Sequence, residues 1–377
     1  DLPLGAQQHR RADPLIRQLL CGPQDPGQGA IGEDDPLLVQ RLERLIERSK
    51  EVIRPLMNRA RLNQKRIIFP DGTLPRILRA AQQLADEGIC TPVLLGTEWK
   101  IRQRAHMHNI VLNGVEIVEV QDGERFDEMA NELWTLRQRR GLSKQAARHM
   151  LRGHTTYGCM MLRRGEADAL VGGIATPYAD TIRPALQVVG LAPDARVISG
   201  AYVMLFEGRR LFFGDCTVNI RPDAETLAQI AINTARLAGT FGEVPRVAML
   251  SYSDFGEQRD TPQVKIIREA IQIVRRLDPE LQIDGEMQAD TAVDPDKANN
   301  DFPFSSIGGN ANVLIFPNLS SANIAYKLLR ELGGATAVGP IIIGLDRIVN
   351  AIAVGSTVAD IVNMTAITVN QVLEREP

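Results

Sequence analysis

The chain has 377 residues, of which 44% are apolar and 24% charged, with a net charge of −3. Such a chain can bury a large core without disulfides or metal, and its charge exerts no global pull toward nucleic acid or a membrane surface. Cys21, Cys90, Cys159 and Cys216 form no Cys-x-x-Cys pair and lie near no histidines at zinc spacing, which fits a reducing, cytoplasmic setting without a metal site.

In chain order, residues 1 to about 36 are rich in Gly, Pro, Gln and Asp and read as a linker. Gly27-x-Gly29-x-x-Gly32 matches the dinucleotide fingerprint in form only, because no strand precedes it and no helix follows. The start at Asp1 rather than Met leads us to expect a fragment of a longer polypeptide, and no basic start leads into an apolar run. Leu38, Leu42, Leu45, Ile46, Ile53, Leu56 and Met57 then recur at helical period. This predicts a connecting helix over 37–59, packed on its own domain or on a neighbouring one.

From Lys65 onward short apolar runs alternate with longer amphipathic segments. Strands are expected at 66–70, 92–96, 116–120, 168–172, 197–205, 211–214, 246–253, 282–284, 312–317 and 338–343. Helices are expected at 75–88, 98–107, 125–139, 143–163 with a break near Gly153, 178–188, 222–240, 261–277, 320–332 and 357–373. Alternation of this kind predicts an α/β fold with helices on both faces of its sheets. No run is long enough to cross a membrane.

The chain lacks a G-x-x-x-x-G-K-[ST] loop, an H-E-x-x-H motif and a G-x-S-x-G elbow. His9, His106, His108, His149 and His154 read as solvated side chains rather than as metal ligands. The informative segments are apolar strands that run into small polar residues, where ligand clefts of α/β proteins form. In "GGIATPYADTIRPALQ" (172–187), glycines permit close backbone approach and a helix offers its N-terminal amides to an anion. Arg183 sits early in that helix, where a cation is mildly disfavoured, so either a ligand or a structural ion pair holds it. In "LFFGDCTVNIRPDAETLAQIAI" (211–232), Asp223 reads as a helix cap and Asp215 as a buried group that orders a loop.

With "GEADALVGG", "ADTIRPALQ", "FFGDCTVN", "VAMLSYS", "IDGEMQAD", "ANVLIFPNLSSANIAYKLL" and "VGPIIIGL" in order, the chain from about Lys65 to Leu373 resembles the phosphate acetyltransferase family. The resemblance implies two α/β/α domains around a cleft, isocitrate/isopropylmalate dehydrogenase-like, and a homodimer or larger assembly. One domain would combine 60–194 with 340–377, the other would be 195–339, and 1–59 would be linker and connecting helix. The family carries "VNDLSRG-x-S-x-x-DIV" where this chain has "VNAIAVGSTVADIV", so its serine and arginine fall on Ala353 and Val354, and its aspartate on Asp360. Losing an oxyanion donor costs about 3–4 kcal/mol. The substitutions therefore point away from catalysis, with Asp360 as an N3 residue of a capping box.

On that ground the chain looks most like the non-catalytic, phosphotransacetylase-like C-terminal domain of multidomain malic enzymes. Its partners would be acetyl-CoA as allosteric effector, a malic enzyme catalytic domain and itself. NADP or NAD and a divalent metal would belong to the attached oxidoreductase part, and no cofactor to this one. By the same resemblance acetyl-CoA would meet Arg137, Arg183, Ser251, Asn318 and Ser356. The alternatives are an active phosphate acetyltransferase, converting acetyl-CoA and phosphate to acetyl phosphate and coenzyme A, and a purely structural oligomerisation module.

Overall fold

The computed structural model of the chain describes residues 52–257 and 261–376. The expected linker, and most of the expected helix at 37–59, lie outside the described residues. Helix α1 (52–62) turns Ile53 and Leu56 into the core, and the Asn370 side chain donates to the Leu56 carbonyl at 2.8 Å.

The first run alternates strands β1 (Arg66–Phe69), β2 (Thr91–Leu95), β3 (Glu116–Val118) and β4 (Ala169–Gly172) with helices α2 (Pro75–Asp86), α3 (Glu98–Met107), α4 (Glu124–Arg137), α5 (Lys144–Leu151), α6 (His154–Arg163) and α7 (Tyr178–Val188). The expected break near Gly153 is present, with Gly153 as the N-cap of α6. The second run holds β5 (Ser199–Phe206), β6 (Arg209–Gly214), α8 (Ala224–Thr240), β7 (Arg246–Leu250), α9 (Pro262–Leu277), β8 (Gln282–Met287), α10 (Ala289–Val293), α11 (Pro295–Asp301), β9 (Val313–Ile315), α12 (Leu319–Glu331) and β10 (Thr336–Ile343). The chain then forms β11 (Ile348–Ala351) and ends in α13 (Val358–Leu373).

Two sheets result. The first has the order β11-β4-β1-β2-β3 and is parallel throughout, and its strands are short apolar runs such as "RIIF" and "ALVG". The second has the order β10-β5-β6-β9-β7-β8, antiparallel across β10, β5 and β6 and parallel beyond. Parallel strands are hydrophobic along their length because helices cover both faces. One core cluster joins α1, α2 and α13 to α8 and α9, a second fills the α4–α7 face, and a third lies under α12. This is the α/β class with two helix-covered sheets that the sequence predicts.

The chain passes between the sheets twice, at 189–198 and at 344–347. The two passages are tied together by an antiparallel bridge between Leu191 and Leu345, with Ala192 N–H donating to Gly344 at 3.0 Å and Asp346 N–H to Gly190 at 3.0 Å.

Three elements depart from the expected ones. β11 is not among the expected strands, and the polar Asn350 interrupts its apolar run. That side chain is fully buried, accepting from Ile342 N–H at 2.8 Å and donating to Thr368 Oγ1 at 2.8 Å and Gln371 Oε1 at 2.7 Å. α10 and α11 are not among the expected helices, although the Asp294 side chain caps α11 ahead of Pro295.

Candidate active site

The carboxyl ends of strands from both sheets converge on a cavity of about 630 Å³, a volume ordinary for a small-molecule site. The first sheet contributes Ile352, Ala353 and Val354, which follow β11, and Tyr178 at the start of α7. The second contributes Tyr202 on β5, Cys216 and Thr217 after β6, Pro340 on β10, and Leu319, Ser320, Asn323 and Ile324 on α12.

The loop after β6 is held by one carboxylate. Asp215, 3% exposed, accepts from the backbone N–H groups of Gly200, Thr217, Val218 and Asn219 at 2.7–3.2 Å and from Asn219 Nδ2 at 2.6 Å. A buried charge is tolerated when several donors satisfy it. The result fixes Thr217, whose hydroxyl lies 3.4 Å from the Tyr178 hydroxyl. Gly200 is required there, because a Cβ on it would collide with the Thr217 side chain. Asn323 Nδ2 donates to the Cys216 carbonyl at 3.3 Å, and Tyr202 stacks on Tyr326 with ring centroids 4.2 Å apart.

Burial pushes the Tyr178 and Tyr202 hydroxyls and the Cys216 thiol above their ordinary ranges, so all three keep their protons at neutral pH. The cavity therefore presents neutral donors in a largely apolar wall. It holds no thiolate, and among the described residues no cluster of three metal-binding side chains exists.

Behind this wall a second set of contacts braces the first sheet. The Asp71 carboxylate, just beyond β1, accepts from the backbone of Gly173 and Ile174, and burial raises its pKa. His154 Nδ1 lies 3.0 Å from the Pro70 carbonyl. The guanidinium of Arg76 on α2 donates to the Ser356 carbonyl at 3.2 Å and forms no ion pair among the described residues.

Of the residues singled out in the sequence, Ala353 and Val354 line the cavity. Asp360 forms a capping box with Thr357, accepting from Thr357 N–H at 2.8 Å. Ser356 lies in the turn just before that cap, its N–H donating to Ala353 at 3.1 Å. Asn318 caps α12, accepting from Ser321 N–H at 3.0 Å. Ser251 follows β7 with a buried, unpartnered hydroxyl. Arg183 is exposed on α7, and Arg137, at the end of α4, donates to the Gln187 carbonyl at 3.2 Å. None of these last five side chains is among those lining the cavity. Sequence reasoning passed over Tyr178, Thr217, Asn323 and Arg76. The first three stand inside quoted segments, and only the tertiary fold brings them to one cavity; Arg76, which follows the "PDG" turn after β1, meets the Ser356 carbonyl outside that lining.

A sequence model of the family described as phosphate acetyl/butaryl transferase matches residues 51–369. A phosphate acetyltransferase of Corynebacterium glutamicum is 42% identical over 316 residues, covering 84% of this chain and 96% of that protein. One from Thermoanaerobacterium thermosaccharolyticum is 38% identical, covering 85% of this chain and 99% of its own length. Among solved structures, a phosphotransacetylase from Streptococcus pyogenes superposes with a TM-score of 0.83 at 36% identity, and the EutD phosphotransacetylase from Staphylococcus aureus with 0.80 at 33%. Each alignment covers 86% of this chain and 99% of that structure.

These relatives correct the expectation of a non-catalytic regulatory domain of a malic enzyme. They are phosphate acetyltransferases, so the malic enzyme partner and the oxidoreductase parent lose their support. The physical error was to equate two substitutions, at Ala353 and Val354, with loss of catalysis, when the cavity also presents the polar side chains of Tyr178, Thr217 and Asn323. The chain belongs to the phosphate acetyl/butaryl transferase family.

Proposed function

We propose that this protein transfers an acyl group between coenzyme A and inorganic phosphate, with acetyl-CoA as a substrate. The observation that carries the reading is the cavity at the strand ends, lined by neutral hydrogen-bond donors, in a chain that spans nearly all of two phosphate acetyltransferases.

In the reaction a phosphate oxygen attacks the thioester carbonyl. A carbon–oxygen bond forms, the carbon–sulfur bond breaks, and coenzyme A leaves as a thiolate that takes up a proton. Charge develops on the carbonyl oxygen, and donors fixed in advance stabilise it. Tyr178 is suited to that task, since burial keeps its hydroxyl protonated and Thr217 orients it. The N-terminus of α12 borders the cavity through Leu319 and Ser320, and an anion is favoured at a helix N-terminus, although the Leu319 N–H itself already donates to the Ile220 carbonyl at 3.3 Å. Arg76 offers the remaining donors of its guanidinium to phosphate, and Arg137 and Arg183 serve the phosphates of the coenzyme.

The test is release of free thiol from acetyl-CoA by the purified protein, with and without phosphate. Phosphate-dependent release, with acetyl phosphate as co-product, is the expected result. Thiol release that ignores phosphate, or no release, overturns the reading.

A further inference from the structure

We propose that a second cavity, at the opposite end of β11 from the first, binds a small organic anion through a carboxylate or phosphate group held by Arg375. The inference is independent of the reaction proposed above, because the two cavities share no lining residue.

This cavity has a volume of about 670 Å³ and lies against both passages of chain between the sheets. Asp194 of the first passage and Asp346 and Arg347 of the second border it. α8, which packs on the second sheet, contributes Asn233, Arg236 and Leu237, and α13, which packs on the first, contributes Glu374 and Arg375. Asn233, Leu237 and Ile348 make a buried wall, each at most 4% exposed, while three arginines stand around it. A ligand seated here touches elements of both sheets.

The charges of this lining are not matched one to one. Arg236 Nη1 meets Asp194 at 2.5 Å, and Arg347 lies 3.8 Å from its chain neighbour Asp346. Glu374 is held by Arg59 of α1 at 2.5 Å, and Arg59 is not part of the lining. Arg375 forms no ion pair among the described residues. Its Nη1 donates to the Leu345 and Asp346 carbonyls at 2.6 and 3.0 Å, which anchors the guanidinium to the second passage and leaves its Nε and Nη2 donors for a ligand. Burial holds its pKa below the ordinary arginine value; Asp194 and Asp346 oppose that shift, and Arg236 and Arg347 reinforce it. Such a cation has lost part of its water without gaining a carboxylate. The paired oxygens of a carboxylate or phosphate match two parallel guanidinium donors and supply the missing charge. Arg347 adds the same sign of field, and Leu237 and Ile348 offer apolar surface to a short carbon skeleton.

The test is isothermal titration calorimetry of the purified full chain with citrate as a carboxylate, glycerol 3-phosphate as a phosphate monoester, and glycerol as the neutral control. Saturating coenzyme A is present throughout, to occupy the first cavity. The expected result is saturable binding of at least one anion, one per chain, with a Kd of about 1 mM or below, and no binding of glycerol. The tighter of the two anions names the group the site takes. Arg375→Met is expected to weaken that binding about tenfold or more, as loss of a charged hydrogen-bonding partner does. Arg347→Gln, which changes an exposed side chain paired only with its neighbour, is expected to weaken it about threefold. No saturable binding of either anion overturns the inference. Binding of unchanged affinity in Arg347→Gln overturns the assignment to this cavity, even where Arg375→Met fails to fold.

Discussion

Tyr178 is the side chain on which the proposed chemistry depends most. Its hydroxyl is buried against Thr217 and stays protonated well above neutral pH. Tyr178→Phe removes a donor and little else, so kcat is expected to fall about a hundredfold with KM nearly unchanged, as steady-state kinetics with acetyl-CoA will show. Arg183 has a different expected signature. It is exposed and lies outside the cavity, so Arg183→Gln is expected to raise KM for the thioester about tenfold with kcat nearly unchanged. The thiols make a third case. Burial pushes the Cys159 thiol up to about 12 and also raises Cys90 and Cys216. Peptide mapping after treatment with a thiol reagent at pH 8 is expected to find these three unmodified in the folded protein and modified in urea.

At the level of elements, the loop after β6 and the turn after β1 behave as built parts of the site. Asp215 satisfies four backbone N–H groups, and Asp215→Asn replaces a charged acceptor by a neutral amide that must also place two donors. A loss of about 3 kcal/mol is expected from the urea midpoint. Asp71 governs a pH dependence. Its folded pKa is raised, chiefly by burial, so the native state holds a proton that the unfolded chain releases near pH 4. Stability contributed at low pH is therefore lost as pH rises from there through the folded pKa. Asp71→Asn keeps an acceptor for Gly173 and Ile174 and is expected to flatten that slope in denaturation series between pH 4 and 7.

These same elements show what a sequence can disclose. β1, β2 and β4 were legible because parallel strands must be apolar along their whole length, and α13 because Thr357 and Asp360 announce its cap. β11 was not, because the polar Asn350 is buried only by partners on other elements, Ile342 of β10 and Thr368 and Gln371 of α13. The site divided in the same way. The family resemblance singled out Ala353 and Val354, and they do line the cavity. It could not bring Tyr178, Thr217 and Asn323 together, since they lie on elements from both sheets. The reading of inactivity followed from seeing two positions of a site that has others.

At the level of the whole molecule, the sheets are linked by two passages of chain rather than one, paired through Leu191 and Leu345. The Ala192 and Asp346 amides that close this ribbon are expected to exchange with deuterium more slowly than neighbouring loop amides. A single covalent tether would let one sheet swivel in several directions. A hydrogen-bonded pair of tethers, backed by a core that helices of both sheets share, fixes their relative setting more tightly. The tyrosine on one side and the helix terminus on the other therefore border the same cavity before any substrate arrives.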